Sequence, residues 1–169
     1  LGLINSISQE IASAFTNGRK VIICGNGGSL CDAMHFSEEF TGRFRNDRQP
    51  LPVIALSDAG HITCVGNDYG FDEVFSRGVQ AYGNKGDIFI GLSTSGNSLN
   101  IVKANTMARE LGLKSILLLG KDGGQLLGQS DIEIVIPGLT ADRIQEVHMT
   151  ILHIIIECVE RIMFPTLYK

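Results

Sequence analysis

Five short runs along the chain are apolar without alternation: Lys20–Cys24, Leu51–Leu56, Asp87–Leu92, Lys114–Leu119 and Ile132–Ile136. A strand with one wet face alternates apolar and polar residues, so continuous runs predict strands buried on both faces. Between the runs the period changes to that of a helix. Leu3, Ile4, Ile7, Ile11 and Phe15 share one face of a first helix closed by Asn17-Gly18. Another helix is predicted from Leu99 to Leu111, ended by Gly112, and a long one from Ala141 to about Met163. Residues 59–81 read as short helices interrupted at Asn67-Asp68-Tyr69-Gly70. Alternating strands and helices of this kind predict an α/β fold, a five-stranded parallel sheet with helices on both faces. No internal repeat, low-complexity tract or linker breaks the pattern, so residues 1–169 are expected to form a single domain.

The stretch from Val21 to Arg43, VIICGNGGSLCDAMHFSEEFTGR, is a strand, a glycine turn and a helix. Its turn offers backbone N–H groups at a helix N-terminus, a natural anion site. A dinucleotide fingerprint is excluded because Leu30 holds the third glycine position. The remaining readings are a cradle for a hydroxyl-rich or phosphorylated ligand, with Asn26 and Ser29 as side-chain donors, or a purely structural turn. A second polar loop, Ser93-Thr94-Ser95-Gly96-Asn97-Ser98, precedes another helix. An ordinary N-cap uses one hydroxyl, and here there are four. Both loops follow strand C-termini, where open α/β sheets bind ligands.

His35 and Glu39 are four residues apart and share a helix face with Asp32, opposite Leu30, Ala33, Met34, Ser37 and Phe40. Such a pair suits metal binding or acid–base work, or is a solvated i,i+4 pair. On the last helix, Ile144, Val147, Ile151, Ile154, Ile155, Cys158 and Ile162 form the expected apolar centre. His148 sits beside it and reads as a core histidine. His153 lies on the polar side with Asp142, Glu146 and Glu157, and Gln145 borders that side. Leu152, Ile156 and Met149 widen the apolar surface, which predicts cover from a partner subunit. Arg43, Arg45 and Arg48 read as a solvated basic run, and His61 has no assigned role.

Composition narrows the function classes. A net charge of −4 gives no broad basic field for nucleic acid, so an anionic ligand needs local donors. No apolar run approaches the ~20 residues that span a bilayer. Cys24, Cys31, Cys64 and Cys158 form no CxxC and no disulfide framework, and buried reduced thiols in a cytoplasmic protein are expected. The opening LGLINSISQE carries neither methionine nor a signal pattern, so upstream residues are expected.

Together CGNGGSLCDAMHFSEEFTGR, the Asn67-Asp68 turn, GLSTSGNS, GKDGG and ADRIQEVHMTILH resemble the sedoheptulose-7-phosphate isomerase (phosphoheptose isomerase) family of the SIS, or sugar isomerase, superfamily. The likeness runs in order from Val21 to the end of the last helix. It implies a three-layer α/β/α SIS domain that isomerises sedoheptulose 7-phosphate to D-glycero-D-manno-heptose 7-phosphate through an enediol(ate), supplying heptose for lipopolysaccharide or another surface polysaccharide. It also implies zinc (Zn2+) held by His35, Glu39, Gln145 and His153, with Glu39 and His153 as the acid–base pair. Substrate would be bound by Asn26, Gly27, Gly28, Ser29, Glu39, Asn67, Asp68, Ser93, Thr94, Ser95, Ser98 and Gln145. A cytoplasmic homotetramer with active sites between subunits is implied as well. The family's further upstream helix is expected among residues preceding Leu1, and the Pro-Gly-Leu-Thr loop before Ala141 is shorter than the family's. A non-catalytic SIS binding protein of the replication-initiator-associating type, or an isomerase of another phosphosugar, are the alternative readings.

Overall fold

The computed structural model describes residues 2–168. The strands are β1 (Val21–Cys24), β2 (Val53–Ala55), β3 (Ile88–Ser93), β4 (Lys114–Gly120) and β5 (Ile132–Ile136). The α-helices are α1 (Gly2–Thr16), α2 (Gly28–Thr41), α3 (Ala59–Asp68), α4 (Val74–Tyr82), α5 (Leu99–Glu110) and α6 (Ala141–Met163). All strands pair in parallel in the order β2-β1-β3-β4-β5. The expected α/β architecture with a five-stranded parallel sheet is the observed one.

Burial of both faces explains why the strands lack alternation. Val21, Ile23, Ile88, Ile90, Leu92, Ile116 and Leu118 enter one core with α1, α2 and α6. Ile22, Cys24, Phe89, Leu117 and Leu119 enter the other with α3, α4 and α5. Right-handed crossovers require this split. The chain moves outward from β1 to β2 through α2, then back past β1 to β3 through α3 and α4, so those helices land on opposite faces. The direction reverses between β1 and β3, which is where such sheets bind ligands.

Some expectations shift. β2 contracts to three residues: buried Leu51 donates its N–H to the Phe40 carbonyl of α2, and buried Leu56, whose N–H still reaches Ile23 O, lies past the last paired residue, Ala55. The core stripe of α2 is Ser29, Ala33, Phe36 and Phe40, and Met34 is exposed. Phe36 packs edge-on to Phe40 at 4.9 Å between the sheet and α6, which rotates the buried face from its expected place. On α6 the buried stripe is Ile144, His148, Ile151, Leu152, Ile155, Ile156 and Val159, whereas Val147, Ile154 and Ile162 face outward. Only Cys24 of the four free cysteines is buried, and Cys31 and Cys64 are exposed.

His148 is a core histidine, as its place on α6 predicts. Its Nε2 donates to the Leu119 carbonyl at 3.0 Å, and its buried Nδ1 has no partner among the described residues. Protonating Nδ1 would bury a charge, so burial pulls the pKa below the ordinary 6.5, with the Leu119 bond opposing. Below about pH 6.5 the unfolded chain therefore takes up a proton that the folded chain refuses. The stability contribution is complete above that value and is lost as the pH falls through the depressed folded pKa. Thermal unfolding of chelated protein should show lower Tm at about pH 5.5 than at about pH 7.5, with a shallower fall for His148→Gln. Equal slopes in both proteins would remove His148 from this account.

Candidate functional site

Two helix N-termini converge on the reversal point. The N-cap of α2 is Gly27, which has no side chain, and that of α5 is Ser98, whose hydroxyl makes no cap hydrogen bond among the described residues. The first turns of both helices thus keep N–H groups for a ligand. Ser98 Oγ instead lies 3.4 Å from Ser93 Oγ, and Ser93 Oγ accepts from Gly96 N at 3.0 Å. The hydroxyls shape the serine loop rather than cap its helix. Asn26 and Asn100 tie the two loops together by a reciprocal amide pair, 2.9 Å in each direction. Asn100 is buried, and its burial beside the serine loop is a signal that the reading of the sequence did not use.

α6 lies over the glycine turn. Gln145 Nε2 is 3.3 Å from Ser29 Oγ, and a Cβ on Gly28 would stand 2.6 Å from Gln145 Oε1. Only a residue without a side chain lets the amide come so close to the turn.

About two turns farther along α6, His153 meets α2. His153 Nε2 lies 3.4 Å from His35 Nε2, and His35 Nε2 lies 3.3 Å from Glu39 Oε1. One ligand atom from each of these three residues lies within 4.8 Å of the others, so the trio can hold a metal ion. Phe44 stacks on His153, with ring centroids 5.9 Å apart and planes 23° apart. The trio joins residues 118 positions apart in sequence.

An open groove of about 550 Å³ runs beside this cluster, lined by Asp32, Gln145, Met149 and His153 among others. Asp32 Oδ2 is buried there without a hydrogen-bond partner among the described residues. Burial pushes the Asp32 carboxyl above its ordinary value, and nearby His35 pulls it partly back. Asp32 shares the wheel face of His35 and Glu39, a signal that was present in the sequence.

Not every residue expected in the site arrives there. Gln145 is bonded to Ser29 and lines the same groove as His153, which lies eight positions and roughly 12 Å of rise farther along the helix. Asn67 Nδ2 donates to Asp68 Oδ1 at 2.7 Å, and neither side chain hydrogen-bonds either loop among the described residues. His61 Nε2 donates to the Val74 carbonyl at 2.8 Å, tying α3 to α4. The solvated reading holds for Arg43 and Arg45, which are exposed, and is corrected for Arg48. Arg48 and Glu160 form a buried ion pair at 2.7 Å, and Arg45 reaches Glu157 at 2.7 Å.

Residues 2–120 match the SIS domain family. The chain is 64% identical over 162 residues to phosphoheptose isomerase of Fusobacterium nucleatum, covering 96% of this chain and 84% of that one. The chain belongs to the phosphoheptose isomerase family. Solved phosphoheptose isomerases agree in fold. The protein from Francisella tularensis has a TM-score of 0.91 at 39% identity, and that from Neisseria gonorrhoeae 0.89 at 37%. Each alignment covers 95% of this chain and 86% of the other. Among the described residues no helix is long and apolar enough to cross a membrane.

Proposed function

We propose that this phosphoheptose isomerase family member interconverts sedoheptulose 7-phosphate and D-glycero-D-manno-heptose 7-phosphate. The observation carrying the reading is the His35–Glu39–His153 trio beside two uncapped helix N-termini. One part suits proton transfer, and the other suits a phosphate without Lys or Arg. A non-catalytic SIS binding protein would need only the loops.

The substrate would lie across the reversal point. Backbone N–H groups of Gly27 and Gly28 and the hydroxyls of Ser29, Ser93, Thr94, Ser95 and Ser98 would hold the phosphate and sugar hydroxyls, with Asn26 shaping the turn. Gln145, above Ser29, would contact the sugar. Glu39 takes the C1 proton of the open-chain ketose, and His153 delivers a proton to C2. The electron pair of the broken C1–H bond forms the C1–C2 double bond of an enediol(ate). In the same step the C2=O π pair moves to O2. Protonation at C2, with the O1 proton passing to O2, completes the aldose without net oxidation. Glu39 Oε1 faces His35, whereas no protein donor reaches Oε2 among the described residues, which supports a carboxylate that both binds a metal and takes the proton. Imidazole can donate or accept near neutrality, so His153 suits the acid.

Two imidazoles and a carboxylate form a donor set suited to zinc. His35, Glu39 and His153 would hold it, with Gln145 as a fourth ligand. When bound, zinc would polarise the substrate carbonyl and stabilise negative charge developing on its oxygen.

We further infer that residues 2–168 act as one SIS unit within a cytoplasmic homotetramer. Val147, Ile154 and Ile162 leave an apolar stripe on α6 uncovered, and Leu139 before α6 is 94% exposed. A second copy would cover them and supply the contacts that Asn67 and Asp68 lack within one chain.

Proton NMR of purified protein with sedoheptulose 7-phosphate should show the manno-heptose product, and metal analysis should find zinc. Turnover of another phosphosugar with none of this one would overturn the substrate reading. Full activity in zinc-free protein would overturn the metal.

A further inference from the structure

The loop after α2 does more than connect. Phe44, Arg45 and Arg48 engage His153, Glu157 and Glu160, which follow one another along α6. Glu160 is seven residues beyond His153 and therefore roughly 20° around the helix from it. Arg48 closes the arrangement. Its Nε donates to Glu160 Oε1 at 2.7 Å, its Nη2 to the carbonyl of Glu39 at 2.6 Å, and its Nη1 to the carbonyls of Phe40 at 2.7 Å and Gly42 at 3.1 Å. The side chains of Arg48 and Glu160 are 1% and 0% exposed. Tyr168, near the end of the chain, donates its hydroxyl to the other Glu160 oxygen.

These contacts have a directional consequence. The last carbonyls of α2 have no intrahelical partner and carry the negative end of its dipole. A guanidinium fork collects several of them at once, including that of Glu39, and links them to a carboxylate on the helix carrying His153. The separation of the Glu39 and His153 side chains is thus set close to the reacting atoms. An ion pair placed only for stability need not bind the carbonyl of a reacting residue.

We propose that Arg48 is a positioning residue that, with Glu160 as its counter-ion, sets the placement of Glu39 against His153 for metal binding and proton transfer. The proposal rests on the reading of Glu39 and His153 as the reacting pair.

The test compares Arg48→Lys with Lys20→Met. Lysine keeps the charge but presents a single nitrogen, which cannot span Glu160 and several carbonyls. Lys20 pairs with largely buried Asp87 at 2.5 Å, across the start of β1 and at the end of the sheet away from the loops. Lys20→Met should lower Tm and leave kcat and zinc affinity unchanged at a temperature where the protein is folded. Arg48→Lys should lower kcat about tenfold with KM within about twofold, and weaken zinc binding to chelated protein about tenfold by calorimetry. Wild-type kcat and zinc affinity in folded Arg48→Lys would overturn the proposal. Losses in Lys20→Met equal to those in Arg48→Lys would overturn it too. If Arg48→Lys does not fold, the double variant Arg48→Met with Glu160→Met decides, because an apolar pair can replace a buried ion pair without loss of fold. It should show the same losses, and wild-type values in it would refute the positioning role. Absence of turnover in the wild type would overturn the substrate reading alone, since the zinc isotherms still report on Arg48.

Discussion

Replacing Glu39 with glutamine is expected to lower kcat on sedoheptulose 7-phosphate by about 10³-fold, with a far smaller change in KM. The amide keeps the shape of the side chain but cannot accept the C1 proton. The proposed phosphate cradle lies at the helix N-termini, away from this group, so ground-state binding should survive. Solvent exchange separates the roles of Glu39 and His153. In heavy water, Glu39→Gln should lose both isomerisation and deuterium incorporation at C1 of the ketose. His153→Gln should lose isomerisation by a similar factor and still exchange the C1 proton, because its base is intact. Exchange retained by Glu39→Gln and lost by His153→Gln would reverse the assignment. Combining the two changes should cost much less than the product of the single losses, since residues acting as a unit are not additive.

The joining of α2 to α6 shows what a sequence can and cannot carry. β5 and α6 are observed where their apolar patterns place them, at Ile132–Ile136 and Ala141–Met163. Period and terminators are local properties, legible without the fold. Apolar content reports burial rather than pairing, which is why Leu51 and Leu56 suggested a longer β2. The helical wheel placed His35 and Glu39 together and favoured His153 over His148. It measures angle and not height, so it could not show that Gln145 reaches Ser29 while His153 reaches His35. Arg48 was illegible for a different reason. Its burial depends on Glu160, 112 residues away, and on carbonyls presented only once α2 has ended beside α6. Family resemblance supplied the joint role of the four candidate ligands, and the geometry of one chain brings His35, Glu39 and His153 together.

Gly96→Ala should be the most damaging single-methyl change in the serine loop. Gly96 has φ +65°, and a Cβ there would stand 1.9 Å from the Gly123 carbonyl oxygen and 2.3 Å from its carbon. Both are backbone atoms, so no rotamer relieves the clash. The Gly123 loop would have to move, although it is tied to the serine loop through Leu126 N to Gly96 O at 3.1 Å and Gln125 N to Asn97 Oδ1 at 3.0 Å. A left-handed alanine costs about 1–2 kcal/mol and overpacking about 1–3 kcal/mol more. The sum corresponds to a fall in Tm on the order of 10 °C for a chain of this size. Gly18→Ala is the matched control: φ is +69°, and nothing lies within 4 Å of its built Cβ. It should incur only the backbone cost and keep full activity, being outside both loops. Gly96→Ala should also raise KM for the phosphosugar, because moving the loop re-aims Ser95 and Ser98 against the start of α5. Equal Tm shifts in the two variants would mean that the serine loop yields freely, and a yielding loop could not act as a preformed phosphate cradle.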